Sequence, residues 1–297
     1  MTTQLSGVFP ILATPFDDTG RIDEESLRRL IDFCLESGVH GLGVFGLASE
    51  FYKLTPDERH RILDVVISRV DGRVPVVVGT GGPSGEVAAL NSREAESAGA
   101  DAVLVIPLFV TGGGPESLYT YYETVSRAIS LPMMIQDAPT AVVGPMPVPL
   151  LARMASELPQ VAYVKEEASP PGPRITSIRA EAGESLRVFA GSGNLYVIDA
   201  LRRGAVGLMP GSGVPDLHVR IYECFARGDL DGAYIRYERL LPLLVLEATC
   251  YVPFVKEVLV RRGVIRSASM REPAGALPDE LDLVYLSDLL KRIGISV

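Results

Sequence analysis

The chain has 297 residues, of which 47% are hydrophobic, and 28 Lys plus Arg stand against 37 Asp plus Glu, so the net charge is −9. This is enough apolar sequence for one large core, because some single domains reach roughly 250 residues. The basic residues are scattered along an acidic chain, which argues against nucleic acid as a partner.

The cysteines and the N-terminal residues predict a soluble, cytoplasmic protein. Cys34, Cys224 and Cys250 are far apart, odd in number and without a metal-ligand spacing, so we expect reduced, packed thiols. Residues 1–6 are polar and unlike a signal peptide, and no apolar run approaches the roughly 20 residues of a membrane span. We therefore expect no membrane partner.

Short runs of Val, Ile and Leu recur along the chain, and each is followed by a polar loop and a stretch with helical periodicity. This alternation is typical of buried parallel strands joined by crossover helices, and eight such units predict an α/β fold, the (β/α)8 barrel. The predicted strands are Gly7–Ala13, Gly41–Phe45, Val74–Gly79, Ala102–Ile106, Met133–Gln136, Val161–Lys165, Arg187–Ala190 and Ala205–Leu208.

Helical periodicity predicts both the helices between the strands and a helical tail. After Pro215 strand signals stop, which predicts a barrel domain over residues 1–215 and a C-terminal helical extension over 216–297. The main predicted helices are Glu24–Ser37, Pro56–Arg69, Asp216–Ala226, Leu230–Leu246, Tyr251–Gly263 and Leu281–Ile293. In Pro56–Arg69, Thr55 is the expected cap and Pro56 the first helical residue.

Lys165, one of only four lysines, ends the predicted strand that begins at Val161. At the carboxyl end of a barrel strand a buried amine is more readily neutral, and a neutral amine can attack a carbonyl carbon. Lys165 could equally form a structural ion pair with Glu166 or Glu167. Both interpretations stay open on the residues alone.

Glu167 is the candidate proton-transfer group. Residues two apart on a strand share a face, so Glu167 is expected beside Lys165 while Glu166 points away. A carboxylate there could move protons, or it could be only a counter-ion.

The residues Gly41–Glu50 run from a strand into a loop of small residues, where backbone N–H groups could hold a carboxylate. The glycines could equally serve close packing. The three histidines, His40, His60 and His218, are placed as structural or solvated residues. No phosphate-binding loop and no spaced metal ligands occur in the sequence, so we expect no metal and no nucleotide cofactor.

Several of these segments together resemble the dihydrodipicolinate synthase and N-acetylneuraminate lyase superfamily over nearly the whole chain. The landmarks are Gly7–Pro10, Thr14–Phe16, the loop Gly46–Glu50, Pro139, Lys165 and Gly191. The resemblance implies a (β/α)8 barrel, commonly tetrameric, in which Lys165 forms an imine with a 2-oxo acid without a separate cofactor.

The resemblance also implies a substrate-binding set. Leu47, Ala48, Ser49 and Glu50 belong to the loop that holds the substrate carboxylate, mainly through Ala48 and Ser49. Glu50 could either face the substrate or brace the loop by accepting backbone N–H bonds, and we favour bracing. Gly191 and Met209 are the remaining substrate-binding residues.

The departures from the superfamily pattern narrow the range of reactions that the chain could catalyse. The usual tyrosine after strand five is replaced by Gln136, and an amide cannot act as a phenol does in proton transfer. The synthase's second tyrosine falls near Leu108 and Phe109, and its substrate-gripping arginine falls at Ala141, so lysine biosynthesis is disfavoured.

The segment Gln136–Pro139 and the acid two residues past Lys165 resemble the branch that contains L-2-keto-3-deoxyarabonate dehydratase. That resemblance implies dehydration of a 2-keto-3-deoxy sugar acid through an imine, with Glu167 as acid and base and Gln136 orienting a hydroxyl or a water. An aldolase that releases pyruvate is the nearest alternative. A non-catalytic sugar-acid binding protein is the other.

Overall fold

Strands and helices alternate along the chain in this computed structural model, which describes residues 4–107, 113–139 and 144–295. In those ranges the strands are β1 (Gly7–Val8), β2 (Leu42–Val44), β3 (Val76–Gly79), β4 (Ala102–Val105), β5 (Met133–Asp137), β6 (Val161–Glu166), β7 (Arg187–Ala190) and β8 (Gly207–Leu208). The helices are α1 (Glu24–Glu36), α2 (Pro56–Val70), α3 (Gly85–Ala98), α4 (Pro115–Ser126), α5 (Val148–Glu157), α6 (Pro171–Ala182), α7 (Val197–Arg202), α8 (Pro215–Ala226), α9 (Leu230–Glu247), α10 (Tyr251–Arg261) and α11 (Glu280–Arg292). Short 3-10 turns lie at Leu47–Ser49, Phe51–Lys53, Gly183–Ser185 and Ser192–Asn194.

One of two units comprises Met1–Ser6, Pro75–Ser192 and Tyr196–Met209. In this first unit β3 to β8 pair in chain order, and every pairing is parallel. The apolar residues of β4 and most of those of β5 are fully buried, as expected for strands that are covered on both faces. The unit therefore holds its polar strand-end residues on a rigid, well-packed sheet.

The second unit comprises Gly7–Val74, Gly193–Leu195 and Pro210–Val297. It contains β1 and β2, whose segments pair in parallel through the bridge between Ile11 and Gly43. It also contains α1, α2 and the run α8–α11, in which strands no longer occur among the described residues. This run is the predicted C-terminal helical extension.

The eight predicted strands are present, but the first two are shorter than expected. β1 ends at Val8 because Pro10 has no N–H to donate to a ladder, and only Ile11 pairs beyond it. β2 ends at Val44 because Phe45 adopts a left-handed backbone conformation with φ 58°. Elsewhere the boundaries agree to within about two residues.

The predicted start of α2 is confirmed. The Thr55 side chain accepts a hydrogen bond from the N–H of Glu58, and the Glu58 side chain accepts one from the N–H of Thr55. Pro56 occupies the first turn, where its missing N–H costs nothing.

The succession of strands and helices is that of a (β/α)8 barrel with a C-terminal helical extension, as the sequence predicts. The domain boundary at residue 215 stays a prediction. Leu108, Phe109 and Ala141, where departures from the superfamily pattern fall, lie outside the described residues. Across the described ranges, no helix is both long enough and apolar enough to cross a membrane.

Candidate active site

Strand β6 carries Lys165 near its carboxyl end. In the parallel register Lys165 lies opposite Gln136 of β5 and Phe189 of β7, so it is held between two paired strands. Its side chain is only 4% exposed. A rigid strand fixes the direction in which the Lys165 side chain points.

Glu167 and Gln136 meet at this lysine. The Lys165 Nζ atom lies 3.2 Å from Oε1 of Glu167, and the Gln136 Nε2 atom donates to Oε2 of the same carboxylate at 2.7 Å. Glu167 stays partly accessible, with 15% of its side chain exposed. The structure thus brings the three predicted catalytic residues together, while their roles stay predictions.

Glu166 points to the other side of β6, as the alternation of strand residues requires. Its carboxylate is fully buried and binds Arg174, with 3.1 Å between Oε2 and Nε, and its Oε1 accepts the N–H of Ala168. Burial, together with the nearby Asp137 carboxylate, raises the pKa of Glu166 to about 7. The two neighbouring glutamates therefore have different surroundings.

Gly191 provides room for Glu167. A Cβ atom at position 191 would lie 2.3 Å from the Glu167 Cγ, so the Glu167 side chain would have to move. Ser192, which the sequence reasoning missed, donates its hydroxyl to the Glu167 carbonyl at 2.8 Å. Its position directly after Gly191, the glycine that follows β7, could have identified it. Met209 is buried, and its N–H bonds to the Ala190 carbonyl.

In the second unit the loop Leu47–Glu50 presents backbone donors. The N–H groups of Ser49 and Glu50 are used within the turn. Those of Leu47 and Ala48 donate to no residue that the structure describes. Two unused N–H groups at the start of a helical turn can hold an anion.

Ser49 is held differently from what the resemblance suggests. Its hydroxyl donates to the Leu12 carbonyl at 2.5 Å, and its own carbonyl accepts the Thr14 hydroxyl. The Ser49 proton is therefore engaged within the protein. Any carboxylate at this loop would rely on the backbone donors of Leu47 and Ala48.

Glu50 braces the loop, but through lysines and not through backbone N–H groups. Its fully buried carboxylate accepts from Lys53 at 2.8 Å and from Lys256 at 2.5 Å. Lys256 also donates to the Ser269 carbonyl at 2.8 Å and lies over the Phe16 ring. Lys256 is distant in sequence, so no local pattern predicts this arrangement.

Among the described residues, neither a histidine nor a metal site provides an alternative catalytic centre. His40 accepts the N–H of Val8, and burial lowers the pKa of His218 to about 4. In the described ranges, no group of three or more His, Cys, Asp and Glu side chains could hold a metal ion.

Alternating strands and helices, with a buried lysine at the end of the sixth strand, define the class of this protein as a (β/α)8 fold. Residues 4–291 match the model of the dihydrodipicolinate synthetase family. The chain belongs to this family of lyases.

Relatives of this chain are named for different activities. L-2-keto-3-deoxyarabonate dehydratase of Azospirillum brasilense is 36% identical over 94% of this chain and 92% of its own length. The 4-hydroxy-tetrahydrodipicolinate synthase of Syntrophobacter fumaroxidans is 31% identical over 95% of this chain and 97% of its own. The probable 2-dehydro-3-deoxy-D-pentonate aldolase of Escherichia coli is 27% identical over 85% of this chain and 86% of its own.

Solved structures of the family share the fold. A prophage protein of the dihydrodipicolinic acid synthase family from Escherichia coli K12, solved in complex with pyruvate, aligns with a TM-score of 0.92 at 26% identity. The alignment covers 99% of this chain and 100% of that one.

Proposed function

We propose that this protein is a Schiff-base-forming lyase that dehydrates a 2-keto-3-deoxy sugar acid. The observation that carries the proposal is the 3.2 Å contact between Lys165 Nζ and Glu167 Oε1, with Gln136 bound to the other carboxylate oxygen. A buried amine beside a partly exposed carboxylate supplies both a nucleophile and a proton acceptor.

The first half of the reaction makes the imine. The neutral Lys165 amine adds to the C2 carbonyl carbon of the substrate, and the resulting carbinolamine loses water to give a protonated imine. This imine withdraws electrons from C3. Glu167 then takes a C3 proton, and the electron pair of the C–H bond forms the C2–C3 double bond of an enamine.

The second half breaks the carbon–oxygen bond. The nitrogen lone pair re-forms the C2–N double bond, the C2–C3 electron pair shifts to form a C3–C4 double bond, and the C4 hydroxyl leaves as water with the proton from Glu167. Water then hydrolyses the conjugated imine and frees Lys165. The net change is the loss of one water, and the chemistry invokes no cofactor beyond the lysine itself.

Gln136 orients the proton-transfer group. Its amide donates to Glu167 Oε2, which leaves Oε1 directed at Lys165. A side-chain amide neither gives up nor accepts a proton near neutral pH, so Gln136 cannot take over the proton-transfer role of a tyrosine. Glu167 is thus the proposed acid and base.

The dehydratase at 36% identity supports the choice of a sugar acid as substrate. An aldolase is the second candidate, supported by the 27% identical pentonate aldolase. Both reactions share the imine at C2: the aldolase breaks the C3–C4 bond and leaves the enamine of pyruvate, whereas the dehydratase breaks the C3–H bond and then the bond between C4 and its hydroxyl oxygen.

Substrate binding outside the reacting atoms also remains a proposal. The unused N–H groups of Leu47 and Ala48 support a carboxylate-binding role for their loop. The tetramer expected from the superfamily resemblance stays a prediction.

A substrate screen tests the reaction class. Both stereoisomers of five- and six-carbon 2-keto-3-deoxy acids are incubated with the enzyme, and free pyruvate is measured separately from the dehydrated 2-oxo product. We expect the dehydrated product without pyruvate. Pyruvate with an aldehyde would establish the aldolase instead, and ligand binding without any turnover would favour a binding protein.

Glu167→Gln tests the proton-transfer role. Borohydride with pyruvate should still trap an adduct at Lys165, whereas turnover should fall about 10²- to 10⁴-fold, because imine formation and proton transfer are separate steps. Glu181→Gln, which removes an exposed carboxylate from α6, is the matched control. Undiminished turnover in Glu167→Gln would remove Glu167 from the mechanism.

A further inference from the structure

A buried ion cluster lies on the side of β5 and β6 opposite to Lys165. Arg174 of α6 binds Glu166 through Nε at 3.1 Å and Asp137 through its terminal nitrogen. The same terminal nitrogen donates to the Met146 carbonyl at 2.9 Å. The Asp137 carboxylate in turn accepts the N–H of Met146 at 3.0 Å. Arg174 therefore joins two strands and the segment before α5.

Each carboxylate of the cluster is the chain neighbour of a proposed catalytic residue. Asp137 follows Gln136 on β5, and Glu166 lies between Lys165 and Glu167 on β6. The register pairs Gln136 with Lys165 and Asp137 with Glu166.

Beyond the end of β6, the N–H of Glu167 bonds to the Asp137 carbonyl at 3.0 Å. Displacing Asp137 or Glu166 would therefore move the backbone that aims the catalytic side chains. A shift of about 1 Å is enough to lower a rate about 10²-fold.

The cluster has more negative than positive charge. Asp137 and Glu166 are 1% and 0% exposed, and Arg174 is the one cation that binds either of them among the described residues. Burial raises the pKa of Asp137 and raises that of Glu166 to about 7, while Arg174 opposes both shifts. Without Arg174 the two carboxylates would lose their common partner and would repel each other or take up a proton.

We infer that Arg174 is a positioning residue: by clamping Asp137 and Glu166 from behind, it holds Glu167 and Gln136 in the alignment that proton transfer at the Lys165 imine requires. The inference rests on the proposed function and adds a residue that does not touch the reacting atoms. The planar guanidinium of Arg174 is needed for this, because a single side chain donates to two carboxylates and a carbonyl at the same time.

Exchange of the pyruvate methyl protons in D2O tests this role without the natural substrate. Exchange requires an imine at Lys165 and proton removal by Glu167, and NMR follows it directly. Borohydride trapping with pyruvate measures imine formation separately. We expect Arg174→Ala to trap the imine at more than half of the wild-type level, while methyl exchange falls about 10-fold or more.

Two further variants make the result specific. Arg179→Ala removes another arginine of α6, one that binds the Gly204 carbonyl and Glu184 and does not contact β5 or β6 side chains in the described residues; exchange should stay within about twofold of wild type. Arg174→Lys restores the charge without the fork, so its exchange rate should lie between those of Arg174→Ala and the wild type.

The outcomes separate this inference from the proposed function. Wild-type exchange with an unchanged rate in Arg174→Ala would overturn the positioning role alone. Equal losses of trapping and exchange would also overturn it, because they indicate a general loss of active protein. No trapping and no exchange in the wild type would overturn the proposed function. Should Arg174→Ala not fold, Arg174→Lys carries the same test, with retained trapping and slower exchange expected.

Discussion

Two buried lysines, one in each unit, each contact a glutamate, but the two amino groups differ in the number of their bonding partners. In the second unit, Lys256 is fully buried and bonds to the Glu50 carboxylate and the Ser269 carbonyl, with the Phe16 ring beside it. In the first unit, the sole side-chain partner of Lys165 within the described residues is Glu167 at 3.2 Å.

The difference distinguishes Lys256, which has a structural role, from Lys165, the proposed nucleophile. A buried ammonium with several partners has its charge compensated and is costly to disturb. A lysine with a single, partly exposed carboxylate partner has fewer contacts to break when it turns toward a substrate. Burial alone therefore does not identify a nucleophile, and the number of partners around the amine is more informative.

Lys165→Met should produce the largest effect on chemistry and little effect on folding. Methionine cannot form an imine, so borohydride trapping should vanish and turnover should fall at least about 10³-fold. Glu167 keeps Gln136 as a donor and stays partly exposed, so the free energy of unfolding should change by no more than about 1 kcal/mol. Mass spectrometry after trapping and urea unfolding measure the two quantities.

Labelling at another lysine in Lys165→Met would contradict the assignment of the nucleophile. A severe loss of stability in the same variant would contradict the comparison, because it would place Lys165 among the structural lysines.

Lys256→Met, the matched change in the second unit, should give the opposite result. It leaves the fully buried Glu50 carboxylate with Lys53 alone, which should cost about 3 kcal/mol of unfolding free energy. Urea unfolding of both methionine variants in the same buffer provides the comparison. A stability equal to that of the wild type would show that the bonds of Lys256 to Glu50 and Ser269 do not stabilise the fold.

Glu247 extends the comparison, because it is a buried carboxyl that forms no ion pair within the described part of the chain. Burial raises its pKa to about 8, and its Oε1 atom bonds to none of the described residues. The folded state thus favours the protonated form. The stability this gives is fully present below the usual pKa of the carboxyl and is lost as the pH rises toward about 8.

Glu247→Gln keeps the shape of the protonated carboxyl but cannot ionise. At pH 9 it should be more stable than the wild type by roughly 2 kcal/mol, with a much smaller difference at pH 5. Urea unfolding across that range measures it, and Glu238→Gln, an exposed change on the same helix, should follow the wild type. Parallel pH curves for Glu247→Gln and the wild type would mean that Glu247 is compensated after all.

Local periodicity predicted the part of the site that lies on one strand. The two-residue repeat of β6 placed Glu167 beside Lys165 and turned Glu166 away, and the structure has this arrangement. The same alternation places Asp137 behind Gln136. The start of α2 was predictable for the same reason, since its cap depends on neighbours in the chain.

Contacts between distant segments could not be predicted in this way. The bond from Lys256 to Glu50 joins residues 206 positions apart, and no repeat or motif links them. For Glu50 the sequence predicted backbone N–H donors, whereas the structure supplies Lys53 and Lys256. For Ser49 the resemblance implies a place at the substrate carboxylate, whereas its hydroxyl is bound to the Leu12 carbonyl.

Gly191→Ala should have the smallest effect, and it tests the single contact between Lys165 and Glu167. The added methyl group would press on Glu167 Cγ from 2.3 Å and should displace the carboxylate from the amine. Pyruvate methyl exchange in D2O should fall about 10-fold while the imine still traps, because only the proton acceptor moves. Gly144→Ala, where a methyl group meets no atom of the described residues within 4 Å, is the control. Unchanged exchange in Gly191→Ala would mean that Glu167 can act from a second position, and the 3.2 Å contact would then not be the geometry that proton transfer needs.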